Sequence, residues 1–275
     1  MFKYITTILV SLLFLGEGLG MRAHAQTKNQ TDDKGLKQGY WEKMDVETKK
    51  IYYKGTFKDN KPQGIFYYYY KGTDSLHTKT DFRQDGKIAY VTMYHLTTGK
   101  IQAKGKYVNE EKDSTWHFYD EKGKLLSTES YLNGKKNGIS KVFYADGSLS
   151  EEKNFKNNLP DGAFKQLYED KKVKAEGTYV AGEYNGKCSW LYPNGVAAAQ
   201  GVYDKGTKKG LWLYKMANGK ITEKEVWQNG VQLNEKDMEA YFKKNNITFP
   251  EEKKTTTQQA PPQKTNSSTR QESHE

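Results

Sequence analysis

The sequence predicts an all-β fold: an elongated antiparallel β-meander of about eight 24-residue hairpin repeats, closed by a short C-terminal capping helix. Three observations lead to this prediction. Aromatic residues recur at a fixed spacing, apolar and polar residues alternate around them, and Asn-Gly or Asp-Gly turns separate the alternating segments. The composition agrees, because 13% of the 275 residues are aromatic although only 35% are hydrophobic. Aromatic side chains favour strands over helices.

One series of aromatic residues, which we call the aromatic column, sets the repeat. Its members are 24 or 25 residues apart and are Phe57, Phe82, Tyr107, Tyr131, Phe155, Tyr179, Tyr203 and Trp227. A small residue follows each of the first seven after seven residues, and this small column consists of Gly64, Ala89, Ser114, Gly138, Gly162, Gly186 and Gly210. Two residues further on lies a third column, formed by Trp41, Phe66, Val91, Trp116, Ser140, Phe164, Cys188 and Trp212. Gly39, 25 residues before Gly64, opens the small column as part of an incomplete first repeat.

Each repeat is predicted to form two strands and two turns. Ile51, Tyr53, Gly55 and Phe57 alternate with polar or exposed positions, and such a period of two indicates a strand. A second alternation follows each small residue, so residues 35–233 predict about sixteen strands in one domain. A single hairpin buries too little surface to be stable, and we therefore expect neighbouring repeats to pair into one sheet.

The two ends of the chain differ from the repeats. Lys3 precedes an apolar run over residues 5–15, which is too short to span a bilayer, and Ala23-His24-Ala25 forms a small-x-small cleavage pattern. Residues 1–25 are therefore predicted to be a signal peptide and residues 26–34 a linker. The protein is expected to be exported to the periplasm or the extracellular space, in association with the cell envelope.

After the repeats, residues 234–250 are predicted to form the capping helix. Asn234 is a favourable N-cap, and Met238, Tyr241 and Phe242 share one helical face that is expected to dock on the last strand. Residues 251–275 contain no aliphatic residue larger than alanine and are predicted to be a disordered tail.

The segments from Tyr131 to Gly138 and from Tyr203 to Tyr214 resemble MORN repeats, and more closely the bacterial MORN-repeat variant of the YwqK-type antitoxin family. The resemblance covers about residues 35–233. It implies a scaffold that binds proteins, membranes or phospholipids, and it carries no shared catalytic residue. The chain departs from the pattern at positions where the small or third column holds another residue, namely Ala89, Ser114, Ser140 and Cys188.

No residue constellation predicts an enzyme. The five histidines lack metal-ligand spacing, and no nucleophile elbow, zinc-protease motif or phosphate-binding glycine loop is present. A single cysteine excludes an internal disulfide, and Cys188 is interpreted as a small buried residue. His117, between two aromatic residues, is interpreted as a solvent-facing strand residue. We therefore expect a non-enzymatic protein without a cofactor or a metal site.

The polar face of the repeats offers a candidate binding site. Three residues before the first members of the aromatic column lie Lys54, Lys79 and Lys104, which are expected to stack about 10 Å apart. With a net charge of +10, the chain is suited to an acidic partner such as anionic lipid, acidic polysaccharide or an acidic protein patch. The alternative is a solvated face without a ligand, and nucleic acid is a poorer candidate for an exported chain.

The functional prediction is accordingly an exported scaffold that binds another protein or the envelope surface. Two alternatives stay open: an antitoxin or immunity-like protein that neutralises a toxin, and a binder of anionic lipid or acidic polysaccharide.

Overall fold

The computed structural model describes residues 27–249. The predicted signal peptide (1–25) and the predicted tail (251–275) lie outside the described residues. Within residues 27–249 the chain forms nineteen strands followed by one helix. The strands of the first half are β1 (Gln30–Thr31), β2 (Lys37–Met44), β3 (Ile51–Lys58), β4 (Lys61–Tyr69), β5 (Leu76–Arg83), β6 (Ile88–Tyr94), β7 (Ile101–Val108), β8 (Glu111–Tyr119) and β9 (Leu125–Leu132).

The second half continues in the same way and ends in the helix. Its elements are β10 (Lys135–Phe143), β11 (Leu149–Lys156), β12 (Leu159–Leu167), β13 (Val173–Val180), β14 (Glu183–Tyr184), β15 (Gly186–Leu191), β16 (Ala197–Asp204), β17 (Thr207–Lys215), β18 (Ile221–Gln228), β19 (Val231–Gln232) and α1 (Glu235–Lys244).

All strands belong to one antiparallel meander. Long strands pair with the strands before and after them in the chain, and β1 and β19 each pair with a single neighbour, so the sheet is open. The predicted meander is therefore confirmed. Sixteen strands were expected; the additional ones are two-residue pairings at the ends of the sheet and the division of one strand into β14 and β15.

Most repeats contain a bulge at the small column. In β3 and β4, Lys54 pairs with Tyr67 and Thr56 with Gln63, so β4 contains two more residues than β3 between these pairs. The extra residues require a left-handed backbone at the small position, which glycine adopts without steric cost. The small-column residues with φ between +60° and +108° are Gly64, Ser114, Gly138, Gly162, Gly186 and Gly210.

One hairpin lacks this bulge. Strands β5 and β6 pair without a register shift from Thr78–Met93 to Arg83–Ile88. Ala89 lies inside this regular ladder and has no positive φ. The departure from glycine at position 89 therefore coincides with a local change in backbone geometry, whereas Ser114 keeps the left-handed conformation that glycine has elsewhere.

The hydrophobic core lies on one face of the sheet, which we call the inner face. All eight residues of the aromatic column are partly buried there. Most of the large side chains that are deeply buried belong instead to the third column, and those of this column exposed by 1–4% are Phe66, Trp116, Phe164, Cys188 and Trp212. Rings of neighbouring repeats contact each other in several places: Phe66, for example, lies 5.0 Å from Phe57 and 5.2 Å from Phe82, measured between ring centroids. Within residues 27–249 no ring pair includes Tyr131 or Phe155, which flank Ser140 of the third column.

The C-terminal helix begins as predicted. The side chain of Asn234 accepts a hydrogen bond from the backbone N–H of Asp237 at 3.0 Å, which caps the first turn. Met238, Tyr241 and Phe242, the predicted docking face, are the partly buried residues of α1, and no residue of the helix is fully buried. The Tyr241 hydroxyl reaches Gly210 on β17, and Phe249 packs beneath the Lys224 ammonium of β18, 4.1 Å from ring centroid to nitrogen. None of the described helices has the length and hydrophobicity needed to cross a membrane.

Candidate functional site

The predicted lysines lie in one cross-strand row on the opposite face, which we call the outer face. Tyr67 pairs with Lys54 on one side and with Lys79 on the other. Thr92 likewise pairs with both Lys79 and Lys104. Alternate strands of a sheet are about 9.6 Å apart, so the register places the three ammonium groups at that repeat distance. This is the arrangement expected from the sequence; whether it binds a ligand stays a prediction.

The whole row shows that the two halves of the sheet differ in charge. From β2 to β18 it reads Glu42, Lys54, Tyr67, Lys79, Thr92, Lys104, His117, Thr128, Lys141, Glu152, Lys165, Glu176, Ser189, Gln200, Leu213 and Lys224. In the second half, cross-strand pairs hold the lysines: Lys141 contacts Glu152 at 3.1 Å and Lys165 contacts Glu176 at 3.9 Å.

The first half has lysines without such partners. Within residues 27–249, Lys54, Lys79 and Lys104 form no ion pair within 4 Å. Glu42 lies beside Lys54 in the row, but its carboxylate accepts from Lys28 at 2.6 Å and from the Tyr40 hydroxyl at 2.7 Å. Glu42 also raises the pKa of Lys54 by its charge, but none of the three lysines of the basic half is held in an ion pair within residues 27–249.

Aromatic rings support these lysines. The Lys54 ammonium is 5.6 Å from the ring centroids of Tyr67 and Tyr69, and the Lys104 ammonium is 5.6 Å from that of Tyr119. The hydrogen bond that the Lys54 ammonium donates to the Tyr69 hydroxyl oxygen raises the pKa of Lys54, which keeps this group charged. Burial, and then the charge of Lys104, lower the pKa of His117, so the histidine adds no positive charge to the row at neutral pH.

The inner face carries a second set of lysines that the sequence reasoning missed. Lys112 and Lys208 each follow a member of the aromatic column by five residues, and their side chains lie across the inner face. Lys112 lies 4.8 Å from the Trp116 ring and 5.0 Å from the Tyr131 ring, and Lys208 lies 5.0 Å from the Trp212 ring. Burial lowers the pKa of Lys112. The 24-residue spacing of these lysines was the available signal, but lysine was assumed to belong to the polar face.

Two carboxylates on the inner face occupy positions that hold glycine in other repeats. Glu225 is 2% exposed and accepts hydrogen bonds from Lys208 at 2.6 Å, from the Trp227 indole at 2.9 Å and from the Tyr214 hydroxyl at 3.1 Å. Burial would raise the pKa of Glu225, but these hydrogen bonds outweigh it and lower the pKa. Glu129 is held in the same way by Lys136 at 2.7 Å.

A cavity of about 440 Å³ opens on the inner face at the hairpin without a bulge. Val91 stands there in the third column, and Thr80 occupies the position that is glycine in the preceding and following repeats. No ring contact among residues 27–249 joins Phe82 to Tyr107, so the aromatic ladder is interrupted at this point. The lining side chains that the argument below uses are Tyr68, Thr80, Phe82, Val91, Met93 and Tyr107.

The remaining candidates from the sequence are structural. Cys188 is 1% exposed, and its sulfur lies against Gly177, as expected for a small buried residue. Burial raises the pKa of the Cys188 thiol, so the thiol is protonated at neutral pH. His117 is partly buried in the outer-face row between Lys104 and Thr128. Within residues 27–249 there is no group of three side chains suited to hold a metal ion.

Comparison with known proteins identifies the repeat but assigns no activity. No curated protein matches the chain. A crystal structure of a mutant of S. aureus TarM, in complex with fondaparinux, alpha-GlcNAc-glycerol and UDP, is 12% identical over 36% of this chain and 19% of that chain, with a TM-score of 0.28. A second crystal structure of TarM is 14% identical over 35% of this chain and 20% of that chain, with a TM-score of 0.26. The chain thus spans about a fifth of the length of these structures, and neither likeness bears on function. Residues 136–157 and 160–181 match the family described as MORN repeat variant, so the chain contains repeats of this type.

Proposed function

We propose that the protein is an exported, non-enzymatic repeat scaffold whose basic outer face binds an acidic protein partner or the acidic surface of the cell envelope. The observation that carries this proposal is the contrast within one cross-strand row. Lys54, Lys79 and Lys104 form no ion pair within 4 Å, whereas Lys141 and Lys165 of the second half pair with Glu152 and Glu176. Charge that a protein leaves unpaired on one face is available to attract a partner of opposite charge.

The geometry also favours an extended acidic surface over a small ion. Three charges at intervals of about 9.6 Å span some 20 Å, which exceeds the reach of one carboxylate or phosphate. Tyr67, between Lys54 and Lys79, and Tyr119, beside Lys104, add flat apolar area, which is common at protein interfaces. MORN repeats imply a scaffold of this kind, and the two matched repeats support that part of the proposal.

The test compares two triple variants of the full mature chain. Lys54, Lys79 and Lys104 are changed to glutamine in the first, and the paired or distant lysines Lys141, Lys165 and Lys224 in the matched control. Binding to polyglutamate and to phosphatidylglycerol vesicles is measured at low and high salt. The first variant should lose most of its binding, and salt should weaken native binding, because exposed charges are screened within about 8 Å at physiological ionic strength. Equal losses in the two variants would contradict the proposal.

The resemblance to YwqK-type proteins suggests a different role, that of an antitoxin or immunity-like protein. Among the outcomes of a pull-down with the native chain, one tightly bound toxin whose activity is blocked would favour that role. Binding to vesicles alone would favour the anionic lipid alternative.

A further inference from the structure

From the interrupted ladder on the inner face we infer that the cavity beside Val91 binds a neutral planar aromatic ring, such as an indole or phenol, and that the Thr80 hydroxyl hydrogen-bonds its polar atom. This site lies on the face opposite to the lysine row, so it is independent of the proposed outer-face function.

The neighbouring repeats show what the cavity accommodates. In the second repeat the Phe66 ring lies directly on Gly55, and in the fourth the Trp116 ring lies directly on Gly105. Both rings are 1% exposed, so each fills the space between its flanking aromatic columns. Val91 occupies the equivalent column position between them and is four to six carbon atoms smaller. This repeat keeps the flanking aromatic walls but has Val91 in place of the ring and Thr80 in place of the glycine beneath it, so a bound ring would lie beside the Thr80 side chain.

The walls retain the chemistry that receives a ring in the other repeats. Tyr68 and Phe82 line one side of the cavity, and Met93 and Tyr107 line the other. Aromatic pairs favour edge-to-face or offset contacts at 4.5–7 Å, which is the range found between rings along this sheet. A volume of about 440 Å³ is within the range of small-molecule sites and exceeds what a single indole requires.

Thr80 supplies the polar contact. The residue is 4% exposed and lines the cavity, yet among residues 27–249 no hydrogen bond involves its hydroxyl. Every fully enclosed side-chain polar atom in the same residues has a partner. The Thr80 hydroxyl must therefore open onto accessible space, and the cavity is the space that Thr80 borders. A buried hydroxyl in this position favours a ligand that carries one donor or acceptor on an otherwise apolar ring.

The charges at the mouth favour a neutral ligand. Asp85 borders the opening, and its carboxylate already contacts Gln63 at 3.3 Å and Lys61 at 3.4 Å. Lys87 and Glu110 lie at the same rim with opposite charges. The rim therefore offers no strong single-sign field for an ionic headgroup.

Fluorine NMR of fluoroindole with the full mature chain tests the site, because the protein contributes no fluorine signal. Fluoroindole resonances should broaden on addition of the native protein. Val91→Phe places a ring in the cavity and should abolish the broadening. Thr80→Val preserves the shape and removes the hydroxyl, and it should weaken binding about five-fold, the usual value of one hydrogen bond. Fluorinated N-acetyltryptophanamide shows whether the mouth also accepts a ring attached to a polypeptide.

Thr92→Val is the matched control, because Thr92 adjoins Val91 on the same strand and faces the outer surface. It should bind fluoroindole as the native chain does, and urea midpoints establish that each variant is folded. Absence of binding of both probes to the native chain, or undiminished binding to folded Val91→Phe, would overturn the site. An unchanged affinity of Thr80→Val would overturn the assigned hydrogen bond.

Discussion

The indole ring of Trp116 lies on the backbone of Gly105 so closely that a Cβ atom at position 105 would overlap the ring carbons. The indole N–H donates to the carbonyl of Lys106 at 3.1 Å, which fixes the orientation of the ring. Trp212 repeats both contacts with Gly201 and with the carbonyl of Val202. A ring on a glycine of the preceding strand is thus the packing unit of this single-layered core.

Gly105→Ala should therefore destabilise the protein. The added methyl group forces Trp116 away from its site, and overpacking of this kind costs about 2 kcal/mol. The free energy of unfolding from urea titration measures the effect. Lys104→Ala, on the outer face of the same strand and exposed, is the control and should change the free energy by less than about 0.5 kcal/mol. Equal effects of both variants would argue against the packing unit.

The sequence predicted the columns because each depends on a local rule. Alternation identified which residues share a face, and Asn-Gly and Asp-Gly pairs identified the turns. The sequence pattern did not predict the bulge, since two extra residues in one strand leave the 24-residue period unchanged. For the same reason, Ala89 was recognised as a departure from the pattern, while its cause, a regular ladder from Thr78 to Arg83, needed the pairing between strands.

Replacing Ser114 by glycine should stabilise the protein, whereas the same change at Ala89, the control, should destabilise it. Ser114 has a φ of +60°, a conformation that costs a residue with a side chain about 1 kcal/mol relative to glycine. Ser114→Gly should stabilise the protein by about 1 kcal/mol. Ala89→Gly, at the equivalent position of the hairpin without a bulge, should destabilise the protein by about 0.5–1 kcal/mol. The backbone there has no positive φ that would favour glycine, and glycine loses more conformational entropy on folding than alanine does. Thermal midpoints compare both variants, and a change of the same sign in both would contradict the assignment of the bulge.

A series of tyrosines, each just after the end of a strand, connects consecutive repeats. The Tyr144 hydroxyl donates to the carbonyl of Leu167 at 2.6 Å, and Tyr168 donates to Leu191 at 2.7 Å. Tyr144→Phe removes one such bond and should lower the free energy of unfolding by about 1 kcal/mol. Tyr52→Phe, at a tyrosine that is 44% exposed, is the matched control and should have little effect in the same urea titration. A loss in the control as large as that in Tyr144→Phe would show that the contact between repeats is unimportant.

The candidate sites were predictable to different degrees. The row of Lys54, Lys79 and Lys104 followed from the period alone, since equal spacing in the chain becomes equal spacing across the strands. The cavity did not follow, because it depends jointly on Val91, on Thr80 opposite it and on the absent bulge. The inner-face lysines were missed because their ammonium groups lie over aromatic rings, so that a charged residue contributes to an apolar face; the Lys208 ammonium also contacts Glu225.

The buried carboxylate of Glu225 should make stability depend on pH. Burial raises its pKa, but the hydrogen bonds from Lys208 and Trp227 outweigh this and hold the pKa of Glu225 below its usual value of 4.5. Since the folded state binds the proton less tightly than the unfolded chain, this contribution is complete above about pH 4.5 and is lost as the pH falls through the folded-state pKa.

Glu225→Gln should therefore lower the free energy of unfolding at neutral pH by about 2 kcal/mol, because hydrogen bonds to a charged group are replaced by weaker ones. It should also reduce the decrease in stability between about pH 4.5 and pH 3, measured as urea midpoints over that interval. Glu176→Gln, at an exposed carboxylate of the outer-face row, serves as the control and should keep the acid dependence of the native chain. An acid dependence of Glu225→Gln equal to that of the native protein would show that other carboxylates carry the effect.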